Sequence, residues 1–233
     1  MIVASTNGVM EMEAFRMLPE GVSAHFTRIP YAGTGTEDAE NRMLATLEAT
    51  SRLLAGSSET IGVDVIGLAH GSGTSFGGTA FARTLEAKMS TASGVPALTM
   101  STAVVRGLQK LGVKRVAAVS PFYQTRMLEK FKAFLEEQGF EVKAYRNLDL
   151  NQHHLVSRQP PSIAYELLKS VDGEGVEALV LNNPNIRTID VIETVEQDLG
   201  KAVVTGSQAL IWACLRTIGV QASLSGFGRL FRM

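Results

Sequence analysis

A chain of 233 residues with 45% hydrophobic and 19% charged residues is long enough to bury a real core, as one large domain or two small ones. Its net charge of −1, with no basic cluster, excludes the electrostatic footprint of a nucleic-acid or anionic-membrane binder. A single cysteine, Cys214, excludes an internal disulfide and any thiolate metal cluster.

Short apolar runs alternate with helical patterns along the whole chain. Strands are expected at 1–5, 22–29, 63–69, 96–100, 115–120, 140–146, 177–182 and 202–206. Between the fifth and sixth lies "MLEKFKAFLEEQGF". There Met127, Leu128, Phe131, Phe134 and Leu135 share one helical face and Gly139 supplies the stop. Eight near-continuously apolar strands alternating with helices imply a parallel α/β architecture with helices on both sheet faces. The opening "MIVASTNGVMEME" lacks the basic start and apolar stretch of a signal peptide, and no apolar run reaches bilayer length. The expected location is the cytoplasm.

The chain also repeats itself. "GVPALTMSTAVVRGLQKLGV" (94–113) and "GKAVVTGSQALIWACLRTIGV" (200–220) share a strand, a Thr-x-Ser turn, a helix and a closing Gly-Val. The preceding strands "VDVIGLAHGSG" (63–73) and "VEALVLNNPN" (176–185) correspond in the same way. Two similar halves of four strands each follow. Residues 1–100 with 211–233 are expected to form the first half and 101–210 the second. Ligands of parallel sheets gather at the carboxyl ends of strands, so "AHGSG" and "LNNPN" should face each other across a central cleft.

With those loops placed, the sequence resembles the aspartate/glutamate racemase superfamily, in its branch of maleate isomerases and arylmalonate decarboxylases. Four stretches carry the likeness: "ASTNGVMEMEAFRMLPEGVSAHFTRI" (4–29), "GGTAFARTLEAKMSTASGVPALTMSTAVVRGLQKLGVKRVAAVSPF" (77–122), "VVTGSQALIWACLRTIG" (203–219) and "GFGRLF" (226–231). The resemblance implies a cleft that holds a small carboxylic acid without cofactor or metal, with Asn7 binding a carboxylate. It also exposes a departure. Members that racemise or isomerise present one cysteine from each half; this chain has His70 and Asn183 at those places. The decarboxylases keep the second thiol as proton donor, and this chain lacks that one too. Cys214 sits in the apolar run "ALIWACLRTIG" and reads as a buried structural residue.

His70 ends a strand and is the candidate for moving protons. Gly71, Ser72 and Gly73 follow in what reads as a tight turn, whose N–H groups and hydroxyl offer a cradle for a carboxylate or enolate oxygen. A dinucleotide fingerprint fails here, because Phe76 stands at the third-glycine position. Asn183 can neither give a proton nor attack, but its amide offers two donors and an acceptor, which suits a substrate ligand beside Asn182. Pro184 stiffens that turn, and Asn185 suits a cap before a helix at 188–199. His153 falls near the place where maleate isomerases carry a substrate-contacting asparagine. With His154 and His70 it invites a metal reading, but neighbours in sequence point different ways and no acidic or thiol ligand is evident. Either Phe122 or Tyr123 matches a family tyrosine that bonds the substrate, and only Tyr123 could do so chemically. His25 reads as a satisfied core or edge histidine.

The expected function is a cofactor-independent lyase, decarboxylase or isomerase. It would act on a small carboxylic acid through an enolate-like or one-base step, with His70 and Asn183 at the reacting centre. Asn7, Gly71, Ser72, Tyr123, His153 and Asn182 would hold the substrate. Two-thiol racemisation is excluded. The alternatives are a hydrolase or hydratase using His70, or a family member that binds a carboxylate without turning it over. No nucleic acid or membrane partner is expected, and a homo-oligomer stays open.

Overall fold

The computed structural model describes residues 1–30, 37–56, 62–122, 125–150 and 152–233. All eight expected strands form, in two four-stranded parallel sheets. The first contains β1 (Ile2–Ala4), β2 (Thr27–Ile29), β3 (Ile66–Ala69) and β4 (Ala97–Thr99), in the order β2-β1-β3-β4. The second contains β5 (Arg115–Phe122), β6 (Glu141–Leu150), β7 (Ala178–Leu181) and β8 (Ala202–Thr205), in the order β6-β5-β7-β8. The two orders are the same order, so the internal repeat is a repeat of topology.

The connecting helices are α1 (Met10–Arg16), α2 (Glu37–Ala55), α3 (Gly71–Ser75), α4 (Gly78–Ser93), α5 (Met100–Lys110), α6 (Thr125–Glu137), α7 (His153–Ser157), α8 (Pro161–Lys169), α9 (Ile192–Leu199) and α10 (Gly206–Thr217). Helices α5 and α10 pack on each other, and each touches strands of both sheets. Residues 206–215 of α10 are all buried, as expected for a helix that is apolar on every side and sits between two layers. Its capping box, Thr205 with Gln208, satisfies the first amide groups where no water can reach them.

Three boundaries differ from the sequence reading, each for a tertiary reason. The run 22–29 contributes only Thr27–Ile29 to the sheet, because its neighbour β1 is three residues long and offers no further ladder partners. Strand β6 instead runs on to Leu150, since β5 extends to Phe122 and pairs Ser120 with Asn147 and Phe122 with Leu150. Helix α9 begins at Ile192 rather than 188, because the N–H groups of Thr188 and Ile189 donate to the Glu13 carboxylate of α1 instead of waiting for a helical cap.

In each sheet the chain leaves the first strand toward one edge and returns on its other side. The carboxyl ends of β1 and β3, and of β5 and β7, are therefore the switch points where a crevice opens.

Candidate active site

The crevice lies where those ends meet. It is bounded by Ala4, Thr6 and Asn7 after β1, by Ala69, His70, Gly71 and Ser72 after β3, and by Asn183, Pro184 and Asn185 after β7. Its cavity is small, about 30 Å³, room for a carboxylate-sized group. A second cavity of about 20 Å³ shares Ser72 and Asn183 and reaches back toward Ser120 and Asn182. Among the described residues neither lining contains a lysine, an arginine, an aspartate, a glutamate or a cysteine.

Close packing of backbone holds the two walls together. A Cβ on Gly71 would lie 2.1 Å from the carbonyl oxygen of Asn182, so only glycine lets the β3 loop press on the end of β7. Beneath that contact lies a buried hydroxyl cluster. The Asn182 amide donates to Ser101 Oγ at 3.0 Å, and Ser101 Oγ and Thr74 Oγ1 each donate to the Gly71 carbonyl at 3.0 Å. The Oδ1 of Asn182 is buried with no partner among the described residues.

His70 occupies a defined role. Where the sequence suggested a tight turn, residues 71–75 form the short helix α3, and His70 is its N-cap. The Gly73 N–H donates to His70 Nδ1 at 2.9 Å. A Cβ on Gly73 would come within 2.2 Å of that nitrogen, so glycine at 73 is what allows the ring to cap. The imidazole is 9% exposed.

The three loop asparagines are also partly engaged. Asn7 Oδ1 accepts from the Val9 and Met10 N–H groups at 3.0 and 2.9 Å, which starts α1, while its Nδ2 donates to the Pro184 carbonyl at 3.0 Å. Asn185 Oδ1 accepts from the Gly8 N–H at 2.8 Å. Asn183 Oδ1 accepts from the Asn185 N–H at 2.8 Å, and among the described residues nothing accepts from its Nδ2. Two of these bonds, Asn7 Nδ2 to Pro184 and Gly8 N–H to Asn185, tie the β1 loop to the β7 loop across the crevice.

Other expected site residues fall as follows. Asn182 lies behind the crevice in the hydroxyl cluster and borders the smaller cavity. Tyr123 lies outside the described residues, as do the side chains of Phe122 and His153. His153 opens α7, whose Ser157 lies against Gly8 beside the crevice. His154 is exposed, and His25 bonds Ser23 Oγ at 3.1 Å away from the crevice. Among the described residues no group of three or more histidines, cysteines or carboxylates could hold a metal ion. Thr6 lines the crevice without having been expected there, its place just after β1 being the available signal, and Asn185, read as a cap within the expected "LNNPN" wall, lines it too. Cys214 is buried in α10, and desolvation pushes its thiol up to about 12. Among the described residues no helix is long and apolar enough to cross a membrane.

Two repeated parallel-sheet halves closing on a polar crevice at their switch points define a two-half α/β protein whose site is built by both halves. The chain belongs to the arylmalonate decarboxylase family, whose profile it matches over residues 1–231. It is 28% identical to a maleate isomerase of Pseudomonas putida over 98% of this chain and 94% of the relative. It is equally 28% identical to an arylmalonate decarboxylase of Bordetella bronchiseptica, over 99% and 95%. Its structure superposes with a TM-score of 0.89 and 26% identity on the Nocardia farcinica maleate cis-trans isomerase, covering 99% of this chain and 96% of that one. That structure is a cysteine-to-serine mutant with a covalently bound succinylcysteine intermediate.

Proposed function

We propose that this protein is a cofactor-independent enzyme that decarboxylates a small substituted malonate-type acid through an enolate-like intermediate. Isomerisation in the Nocardia relative involves a succinylcysteine. Here the crevice lining carries no thiol, and Cys214 is buried in α10 with its thiolate strongly disfavoured. That observation carries the choice, because decarboxylation needs no nucleophile. The bond from the α-carbon to one carboxyl group breaks, carbon dioxide leaves, and the electron pair spreads onto the remaining carboxylate as an enediolate. A proton from solvent then closes the valence at carbon. What the site must supply is preorganised donors for the oxygens where charge grows. Asn183, Ser72 and His70 line that crevice and carry such donors, and Asn182 and the Gly71 loop brace it from behind.

The test is incubation with an arylmalonate and, separately, with maleate in deuterated water, followed by NMR without added metal or cofactor. Decarboxylation of the malonate with one deuterium at the α-carbon, and no change in maleate, is the expected pattern. Conversion of maleate alone would overturn the choice. Thermal stabilisation by these acids with no product would establish a binder in place of an enzyme.

A further inference from the structure

Beside the crevice, the end of β7 carries an acceptor with nothing to accept from. Asn182 is 8% exposed, and its Oδ1 is buried with no partner among the described residues. Its neighbours show which end of the amide is orphaned. Ser101 Oγ gives its hydrogen to the Gly71 carbonyl at 3.0 Å, so toward Asn182 it can only accept. The Asn182 NH₂ therefore turns to Ser101, at 3.0 Å, and the oxygen is left over. That oxygen lies close to the crevice wall, 3.0 Å from the point where a Cβ on Gly71 would stand.

Asn182 also lines the second cavity, which shares Ser72 and Asn183 with the crevice. At about 20 Å³ that cavity has room for one water-sized group. Ser75, on the same lining, turns its hydroxyl back onto the Gly71 and Ser72 carbonyls at 3.3 Å. An acceptor left unpaired in a closed complex is costly, and a ligand group that brings it a hydrogen removes that cost. A carboxylate oxygen would bring none, since an ionised carboxylate only accepts.

We propose that the smaller cavity is a subsite for a hydroxyl substituent on the bound acid, and that Asn182 Oδ1 selects for it by accepting its hydrogen. The sequence gave Asn182 the task of holding a substrate oxygen; its orphaned atom suits it to receiving a donor. The inference rests on the carboxylate reading above, which seats the acid in the crevice, and adds what that acid carries. A site built around such an acceptor discriminates sharply against an analogue of the same shape that lacks the hydrogen.

The experiment is calorimetric titration of the intact protein with hydroxymalonate, methylmalonate and malonate, at a pH where all three are fully ionised. Hydroxyl and methyl are close in size, so the first two acids differ chiefly in the hydrogen offered. Hydroxymalonate is expected to bind at least about tenfold more tightly than methylmalonate. Equal affinity, or tighter binding of methylmalonate, overturns the proposal and leaves the carboxylate reading in place. Asn182→Leu replaces the acceptor with an apolar side chain of similar size and should abolish the preference; a preference that survives in the folded variant overturns the assignment to Asn182. Because that variant also deprives Ser101 of its bond, Ser101→Ala serves beside it, losing the same bond while keeping the acceptor. The preference should persist in Ser101→Ala, and its loss there counts against the subsite. Failure of all three acids to bind the wild-type protein removes the carboxylate reading, and the subsite falls with it.

Discussion

At the level of single residues, two asparagines of the same crevice have opposite jobs. Asn7 spends its oxygen on two amide groups at the start of α1 and one amide hydrogen on the Pro184 carbonyl. Asn183 spends its oxygen on Asn185, and among the described residues nothing accepts from its NH₂. Asn7→Ala should therefore lower stability by about 1–2 kcal/mol, the usual cost of a lost cap and a lost buried bond. Asn183→Asp retains the oxygen that Asn185 needs, removes the NH₂ and adds a negative charge. It should leave the melting temperature nearly unchanged and weaken malonate binding at least about tenfold, or 1.4 kcal/mol. Paired melting curves and malonate titrations decide it; equal losses of affinity in both variants would refute the division of roles. The sequence marked both residues as site members by their place after strands. It could not separate them, because the difference lies in partners 177 residues away. The same holds for His70: its position was legible, whereas its role as a cap depends on a ring–amide distance that no spacing encodes.

Elements show where tertiary contact overrides local pattern. Strand existence was readable throughout, since short runs rich in apolar residues recur between helical patterns, although 22–29 and 140–146 are broken by polar residues. Strand ends were not, being set by the length of the neighbour in the sheet. The start of α9 was displaced by Glu13, a fully buried carboxylate on α1 that accepts from the Thr188 and Ile189 N–H groups across the two halves. Burial raises its pKa above the ordinary 4.5, the bonds from Thr188 and Ile189 pulling the other way. The native state thus holds the proton more tightly than the unfolded chain does. Stability from this group is greatest at low pH and falls as pH rises from about 4.5 through the native pKa. Glu13→Gln keeps the one oxygen that receives both amide groups and removes the charge. Denaturant unfolding from pH 5 to 8 should show the variant gaining on wild type as pH rises. Glu196, also raised by burial, is common to both proteins and cancels in the difference. Parallel curves would mean that Glu13 is protonated or ionised alike in both states. Glu13→Ala should instead cost roughly 3 kcal/mol, because two buried amide groups lose their acceptor.

For the molecule as a whole, repetition was the most informative signal. Matching 94–113 to 200–220 predicts two equal halves, and the strand orders β2-β1-β3-β4 and β6-β5-β7-β8 bear this out. Equal halves place β3 and β7 opposite each other, which is why His70 and Asn183 share a crevice although 113 positions separate them. The symmetry of position is not a symmetry of chemistry, and this leads to a last expectation. Asn183→Cys places a thiol where the family resemblance leads one to expect it, yet it should create neither isomerase nor racemase activity. A thiolate needs a neighbouring cation or base to form at neutral pH, and the described crevice lining offers neither. His70 cannot act as that base while Gly73 occupies Nδ1. Thr6, Ser72 and Asn185 are uncharged. The new thiol should therefore react with a disulfide reagent only as pH approaches the ordinary thiol range of about 8.5 or above. Cys214 provides a silent background, since it is 7% exposed and its thiol is pushed up to about 12. Maleate isomerisation by the single variant, or thiol labelling that is already complete near neutral pH, would show that the crevice still activates a nucleophile.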